Sequence, residues 1–392
     1  MALDTISHPK VEIPQLPADA PIQFFDLKAQ QKLVREKVEN RFTTILDHGR
    51  HIGGPEVDEL ERKLCEYTGA ADAVAVGSGT QALVMPMIAL GYGHGDAVFI
   101  PAFTYNATAN AVLLAGATPV FVDIDPDTFN MCPEDLERQV KAVRARRDLR
   151  PRAVVPVDLY GLPADYRNIQ PVADAYGLRV IADGAQAFGG KSGNQWVGAI
   201  AEITGTSFYP TKTLGGYGDG GAILTTDREF GDMLRSIRWH GTDDKRKESI
   251  RVGINGRCDS IQCAVVCEKL EIFDAERERR VAIAKIYRER LNGVAPLQAE
   301  PEGYESGYGL FTVRVKDRDA VRAKLQDKGV PSGIYYDQAL HQMEAFKVYA
   351  PADGLPHCEQ AARDSLSIPM HPYLSDAQAH RICDELIKIV RG

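Results

Sequence analysis

No stretch of ~18 apolar residues occurs anywhere in the chain, so no membrane-crossing helix is expected in it. Basic residues are in deficit: 46 Lys and Arg against 54 Asp and Glu give a formal net charge of −8. A protein that binds nucleic acid non-specifically needs the opposite balance to meet phosphates, which excludes that class. The opening residues, MALDTISHPKVEIPQLPADAP, lack a basic start followed by an apolar block, so no secretory signal is expected. Polar and rich in proline, residues 1–21 are expected to form a poorly ordered leader. The seven cysteines are odd in number and contain no CxxC pair. Cys263 and Cys267, four apart in SIQCAVVCEKLEIF, would share one side of a helix. Without a third and fourth ligand nearby they read as packing rather than as a zinc site, and no metal is expected. The chain reads as reduced and cytoplasmic. Internal repeats and low-complexity segments are missing as well.

What is present is an ordinary globular composition, 44% apolar and 26% charged, over a length of 392 residues that suits one large or two ordinary domains. Two basic clusters, Arg144–Arg152 (RARRDLRPR) and Lys245–Arg251 (KRKESIR), run against the acidic balance; the first reading of each is a solvated loop. Val34, Val38, Phe42 and Ile45 make a helical stripe ended by Gly49, and EVDELERKLCEYTG repeats that pattern up to its own glycine. Further on, ADAVAVGSGTQALVMPMIAL reads as strand, tight turn and helix, and DAVFIPAFTYNATANAVLLAGATPVFVDID as strand, loop, helix and strand. RAVVPVDLYG is another strand, and NIQPVADAYGLRVIADGAQAFGG a helix followed by a strand ending at Asp183. Short apolar strands alternating with helices predict an α/β fold, a mainly parallel sheet covered on both faces. The pattern fades near Leu270, which predicts a large domain over 22–270 and a smaller C-terminal α+β domain over 271–392.

Ligands bind such sheets where strands end and helices begin. Ser78-Gly79-Thr80 sits at one of those junctions, where unpaired helix amides and a residue without Cβ suit a phosphate; an ordinary turn is the other reading. LRVIAD is apolar until its last residue, so Asp183 is either a buried carboxylate awaiting a cation or the cap of a helix in GAQAF. Lys212, in TSFYPTKTLGGYGDGGAI, would be partly desolvated among Phe208, Tyr209 and glycine backbone, which lowers its pKa and frees a nucleophilic amine. Phosphate cradle, carboxylate and lysine together are what pyridoxal 5'-phosphate requires, with Tyr105 of PAFTYNAT available to stack on its ring.

Taken in order, FFDLKAQ, DHGRHIGGPEVDELE, GSGTQAL, PAFTYNATANAVLLAGATPVFVDID, ADGAQAFGG, SFYPTKTLGGYGDGGA, GINGRCDSIQ and SIPMHPYLSD give a chain that resembles the DegT/DnrJ/EryC1/StrS family of pyridoxal-phosphate sugar aminotransferases from Ile22 onward. The resemblance implies the aspartate-aminotransferase-like fold (fold type I) and a cytoplasmic homodimer with shared active sites. It matches Lys212 to the lysine that bonds the cofactor aldehyde and Asp183 to the partner of the ring nitrogen. Gln186 falls beside the phenolic oxygen and Tyr105 in the stacking place. The phosphate would be held by Gly79, Thr80, the amide of Gln81 and the hydroxyl of Ser207, with Asn255 reaching it from a second subunit. Within the family the likeness is to enzymes that move the amine of L-glutamate to C3 of UDP-2-acetamido-2-deoxy-3-oxo-glucuronate, for surface polysaccharides such as O-antigen. The cofactor passes through pyridoxamine 5'-phosphate in that cycle. Arg257 would pair a carboxylate of donor or uronate. Those relatives carry His-Tyr-Pro where this chain has GIYYDQALHQ: Tyr336 matches the tyrosine, Tyr335 replaces the histidine and Asp337 the proline. Amination of a 4-keto- or 3-keto-6-deoxy nucleotide sugar is the rival within the class. A sugar dehydratase would carry histidine in place of Lys212, and a cofactor-binding regulator would not need Lys212, Asp183 and Gln186 intact.

Overall fold

The structure, a computed structural model, describes residues 11–392. Its first two helices stop where glycines let them. α1 (Leu27–His48) begins under the Asp26 side chain, which accepts the Ala29 amide at 2.9 Å, and ends on Gly49 at φ 68°. α2 (Pro55–Thr68) ends on Gly69 at φ 79°, a left-handed turn that costs least without a Cβ. Strands and helices then alternate: β1 (Asp72–Val76), α3 (Gly79–Ala89), β2 (Asp96–Pro101), α4 (Ala107–Leu114), β3 (Thr118–Val122), α5 (Pro133–Arg146), β4 (Arg150–Val154), α6 (Tyr166–Tyr176) and β5 (Arg179–Asp183). A short hairpin, β6 (Lys191–Ser192) and β7 (Gln195–Trp196), leads into β8 (Ile203–Ser207), β9 (Gly221–Thr225), α7 (Arg228–Arg238) and α8 (Ser260–Leu270).

The longer strands form one seven-stranded sheet in the order β1-β9-β8-β5-β4-β2-β3. From β3 to β8 the neighbours run parallel, as the alternation predicts. β9 is the exception, antiparallel to both β1 and β8. Successive residues point to opposite faces and both faces are buried. Ile181 and Ile203 join the core under α3, α4 and α7, while Val180 and Ala182 join the one under α5 and α6. Ala73, Ala75 and Leu224 pack under α2 and α8.

After α9 (Phe273–Leu291) the chain adds β10 (Tyr304–Glu305), which pairs with β6, and the antiparallel pair β11 (Phe311–Arg314) and β12 (Ser365–Ile368). With α10 (Arg318–Asp327), α11 (Pro356–Asp364) and α12 (Asp376–Arg391) they make the smaller α+β part. Its own core is built on Ile283, Tyr287, Val313, Leu325, Leu366 and Ile382.

Residues 1–10 of the expected leader lie outside the described residues. Residues 11–21 hold neither helix nor strand, and they touch the rest of the chain at a few points. Ile13 is buried, the Leu16 amide donates to the Tyr373 carbonyl at 3.0 Å, and the Ala20 carbonyl accepts from Gln378 at 3.1 Å. Four of the five arginines of the first basic cluster meet neighbours: Arg146 pairs with Asp148, Arg150 with Asp96, and Arg144 and Arg152 lie over the rings of Tyr176 and Tyr92. Among the described residues no helix is long and apolar enough to cross a membrane, and no group of acidic, histidine and cysteine side chains is placed to hold a metal.

Candidate active site

The ends of β5 and β8 and the start of α3 open on one cavity of about 540 Å³. Gly79, Thr80, Tyr105, Asp183, Gln186, Ser207, Lys212 and Tyr336 all line it, so eight of the sequence-predicted residues meet in one place. Ser78 caps α3, its Oγ accepting the Gln81 amide at 3.2 Å. Gly79 needs to be glycine, because a Cβ there would stand 2.8 Å from that of Ser207. Helix amides and the positive end of the α3 dipole thereby come against the Ser207 hydroxyl, an arrangement that binds an anion.

Asp183 closes β5. Its Oδ2 accepts the Thr108 hydroxyl at 2.7 Å and its Oδ1 the Ala185 amide at 3.2 Å. The residues after it form turns rather than a helix, so the capping alternative has no helix to cap. Burial raises the Asp183 carboxyl, against the pull of the Thr108 and Ala185 hydrogen bonds and the charge of Lys212. Lys212 follows β8 on a loop that closes on itself: its amide donates to the Tyr209 carbonyl at 2.9 Å and that of Gly216 to Phe208 at 2.7 Å. A Cβ on Gly215 would stand 2.7 Å from the Tyr209 carbonyl oxygen. The glycines after Lys212 therefore let the loop fold on its own backbone. Burial lowers the Lys212 amine from the ordinary lysine range, opposed by the Asp183 charge, and the amine has no hydrogen-bond or ion-pair partner among the described residues. Lowered proton affinity with no partner is the state of a nucleophile.

The Gln186 side chain is already engaged, accepting the Tyr160 amide and donating to the Tyr336 hydroxyl, each at 2.9 Å. Tyr105, 56% exposed, stands on the cavity wall with its ring 6.1 Å from that of Tyr336. Three predicted residues are not on this cavity. Gln81 turns its side chain to the Gly77 amide (2.9 Å) and the Asn255 carbonyl (3.1 Å). Asn255 is exposed, and Arg257 lies over the ring of Trp239 at 4.7 Å, with Arg246 of the second basic cluster over the same ring at 3.6 Å.

Sequence reasoning missed Thr108, although ATAN just after Tyr105 marks the start of α4, where a hydroxyl on the first turn faces β5. It also missed Asp158, a fully buried acid at the end of RAVVPVD. Its Oδ1 accepts the Ala164 amide and the Tyr166 hydroxyl, each at 2.8 Å. Burial, aided by the Asp183 charge, pushes its pKa up to about 7.

The chain belongs to the DegT/DnrJ/EryC1/StrS aminotransferase family, which it matches over residues 32–387. It is 41% identical over 367 residues to the UDP-2-acetamido-2-deoxy-3-oxo-D-glucuronate aminotransferase of Pseudomonas aeruginosa, covering 93% of this chain and 99% of that protein. A crystal structure of a family member from Brucella abortus superposes with a TM-score of 0.91 at 44% identity, over 95% of this chain and 99% of that one. Bacillus subtilis NtdA, solved with its cofactor pyridoxamine phosphate bound, does so at 0.84 and 28%, over 97% and 86%.

Proposed function

We propose that the protein is a pyridoxal-phosphate-dependent nucleotide-sugar aminotransferase that moves the amine of L-glutamate onto C3 of UDP-2-acetamido-2-deoxy-3-oxo-glucuronate. The observation that carries this is the unpartnered, buried amine of Lys212 sharing a cavity with the buried carboxylate of Asp183 and the N-terminus of α3. Those three features fit the cofactor's aldehyde, ring nitrogen and phosphate. When bound, the cofactor supplies a protonated ring that draws electrons from the carbon bearing the amine.

In this reading Lys212 is the catalytic residue, the base that moves the proton at that carbon. Asp183, held by Thr108, keeps the ring nitrogen protonated, and Tyr105 covers the ring. Gln186, tied to Tyr336, stands beside the phenolic oxygen. The amides of Gly79 and Thr80 and the Ser207 hydroxyl take the phosphate; that of Gln81 joins them if it leaves Ser78. Asn255 and Arg257 lie off their own cavity, and Arg257 has a buried Nε without a partner among the described residues. Both serve the neighbour's cavity in a homodimer, Asn255 at the phosphate and Arg257 at a substrate carboxylate. Tyr336 stands where the sugar enters. The work is cytoplasmic, in surface polysaccharide biosynthesis such as that of O-antigen, by a chain divided into domains at 22–270 and 271–392.

The relative from Pseudomonas aeruginosa supports the uronate. One observation favours a second reading, C4 amination of a neutral 4-keto-6-deoxy sugar. Tyr335 stands on the cavity wall with its ring stacked on Phe24, 6.0 Å apart at 17°, where no imidazole meets the sugar. Loading the protein with pyridoxal phosphate, discharging its visible absorbance with L-glutamate and asking which keto sugar restores it decides the matter. Restoration by the 3-keto uronate is expected. Restoration by the neutral sugar alone moves the assignment to C4, and no response to glutamate ends the aminotransferase reading.

A further inference from the structure

On the side away from the cavity, the loop that carries Lys212 rests on α8. Lys269, in the last turn of that helix, is 2% exposed. Its Nζ donates to the Gly215 carbonyl at 2.6 Å, lies 3.4 Å from that of Gly216, and sits 4.5 Å from the centre of the Tyr217 ring. Two turns earlier on the same face of α8, the Gln262 side chain accepts the Tyr217 amide at 2.8 Å. The bond from the Gly216 amide to the Phe208 carbonyl ties this half back to the residue that follows β8, and Thr213 donates to the Phe188 carbonyl at 3.0 Å. Lys212 thus stands on a ring of backbone whose far half is gathered by two side chains of one helix.

Burying an ammonium is costly, and burial lowers Lys269 to about 8, with the charge of Glu276 on α9 opposing. An apolar side chain of the same length would avoid that cost. Stability therefore does not account for a lysine here. An ammonium offers three donors on a compact charge, and in this place they turn two successive carbonyls away from the cavity and toward α8. We propose that Lys269 is a positioning residue for Lys212: by drawing in the carbonyls of Gly215 and Gly216 it fixes the loop so that the Lys212 amine is presented to the cavity. The inference rests on the reading that Lys212 bonds pyridoxal phosphate.

Two forms of the cofactor separate this from a structural role. Pyridoxamine phosphate needs no bond to Lys212, whereas pyridoxal phosphate is captured when the Lys212 nitrogen joins its aldehyde carbon and one water leaves. Lys269→Met is expected to hold pyridoxamine phosphate as the unaltered protein does. Its covalent capture of pyridoxal phosphate, fixed with borohydride and counted by mass at Lys212, should slow by about 10- to 100-fold, the scale of a lost charge-assisted hydrogen bond and a displaced reacting atom. Gln262→Leu frees only the Tyr217 amide and should slow capture less; it decides the case if Lys269→Met does not fold. Unchanged capture, or an equal loss toward both cofactor forms, overturns the inference. Failure of the unaltered protein to capture pyridoxal phosphate at Lys212 overturns the reading of the site and the inference with it.

Discussion

Asp183 and Asp158 are neighbouring buried acids with opposite tasks. Asp183 faces the cavity and, in the proposed reading, has to stay ionised, which the Thr108 hydroxyl and the Lys212 charge favour. In Asp183→Asn the amide oxygen can still accept from Ala185 and the amide nitrogen can donate to the Thr108 hydroxyl, so both contacts can persist, one of them reversed, while the charge is lost. We expect the fold to persist and each half-reaction to slow by about 10²- to 10³-fold, the scale of losing one preorganised electrostatic group. Stopped-flow absorbance checks it, and near-normal rates would leave Asp183 as a structural acid. Among the described residues Asp158 has no cation beside it; the Tyr166 hydroxyl, the Ala164 amide and Asp183 act on it. Its folded pKa of about 7 lies above that of an unfolded aspartate, about 3.9. Between those values the native state binds more protons than the unfolded one, so stability falls as pH rises through the window. Asp158→Asn removes the titration, and urea midpoints should change less between pH 5 and 8 than in the unaltered protein. An identical pH response in both would contradict the assignment. That Lys212, Asp183 and the Ser78–Thr80 turn meet on one cavity was legible because each sits at a chain signal: a glycine-flanked loop, a strand's last residue, a glycine turn. Thr108 and Asp158 were not, because their importance comes from what a different element brings beside them.

At the scale of elements, the start of α3 is the feature with least tolerance. The Cβ added by Gly79→Ala must displace either the helix or Ser207 by several tenths of an ångström. Overpacking of this kind costs about 1–3 kcal/mol, and we expect it to appear as weaker binding of pyridoxamine phosphate rather than as unfolding. A fluorescence titration measures it; an unaltered dissociation constant would place the phosphate elsewhere. The strands themselves were readable from their apolar runs and bounding glycines, and α1 and α2 end at the glycines that the sequence offered. The direction of β9 was not, since GGAILTT has the same apolar pattern whichever way it runs. The β6–β7 hairpin is too short to show a period, and Lys269 in CEKLEIF looks like any charged residue on a helix.

At the scale of the whole molecule, a single chain does not bring Asn255 and Arg257 to its own cavity. If these residues serve a partner, each site takes Lys212 from one subunit and Asn255 from the other. A C2 dimer repeats that exchange on both sides. Lys212→Ala and Asn255→Ala would each be impaired alone. After unfolding and refolding together in equal amounts they should regain about a quarter of the unaltered activity, because half the dimers are mixed and each of those has one intact site. No recovery on mixing would sink the shared site. The resemblance supplied this arrangement from the sequence, whereas the apolar and polar patterning of one chain carries no sign of what a second copy covers. The reversed strand has a further consequence. β9 is paired to β8 through five residues, from Ile203 with Thr225 to Ser207 with Gly221, and to β1 through five more. The loop between β8 and β9 is thereby moored at both feet, Ser207 and Gly221, on the last pair of a ladder inside the sheet, whose strand amides open to exchange only with the cooperative loss of the sheet. The connection that carries Lys212 therefore has its two ends held together, and in the proposed reading the reach of the amine is set by the loop between those ends and by its own four-carbon stem.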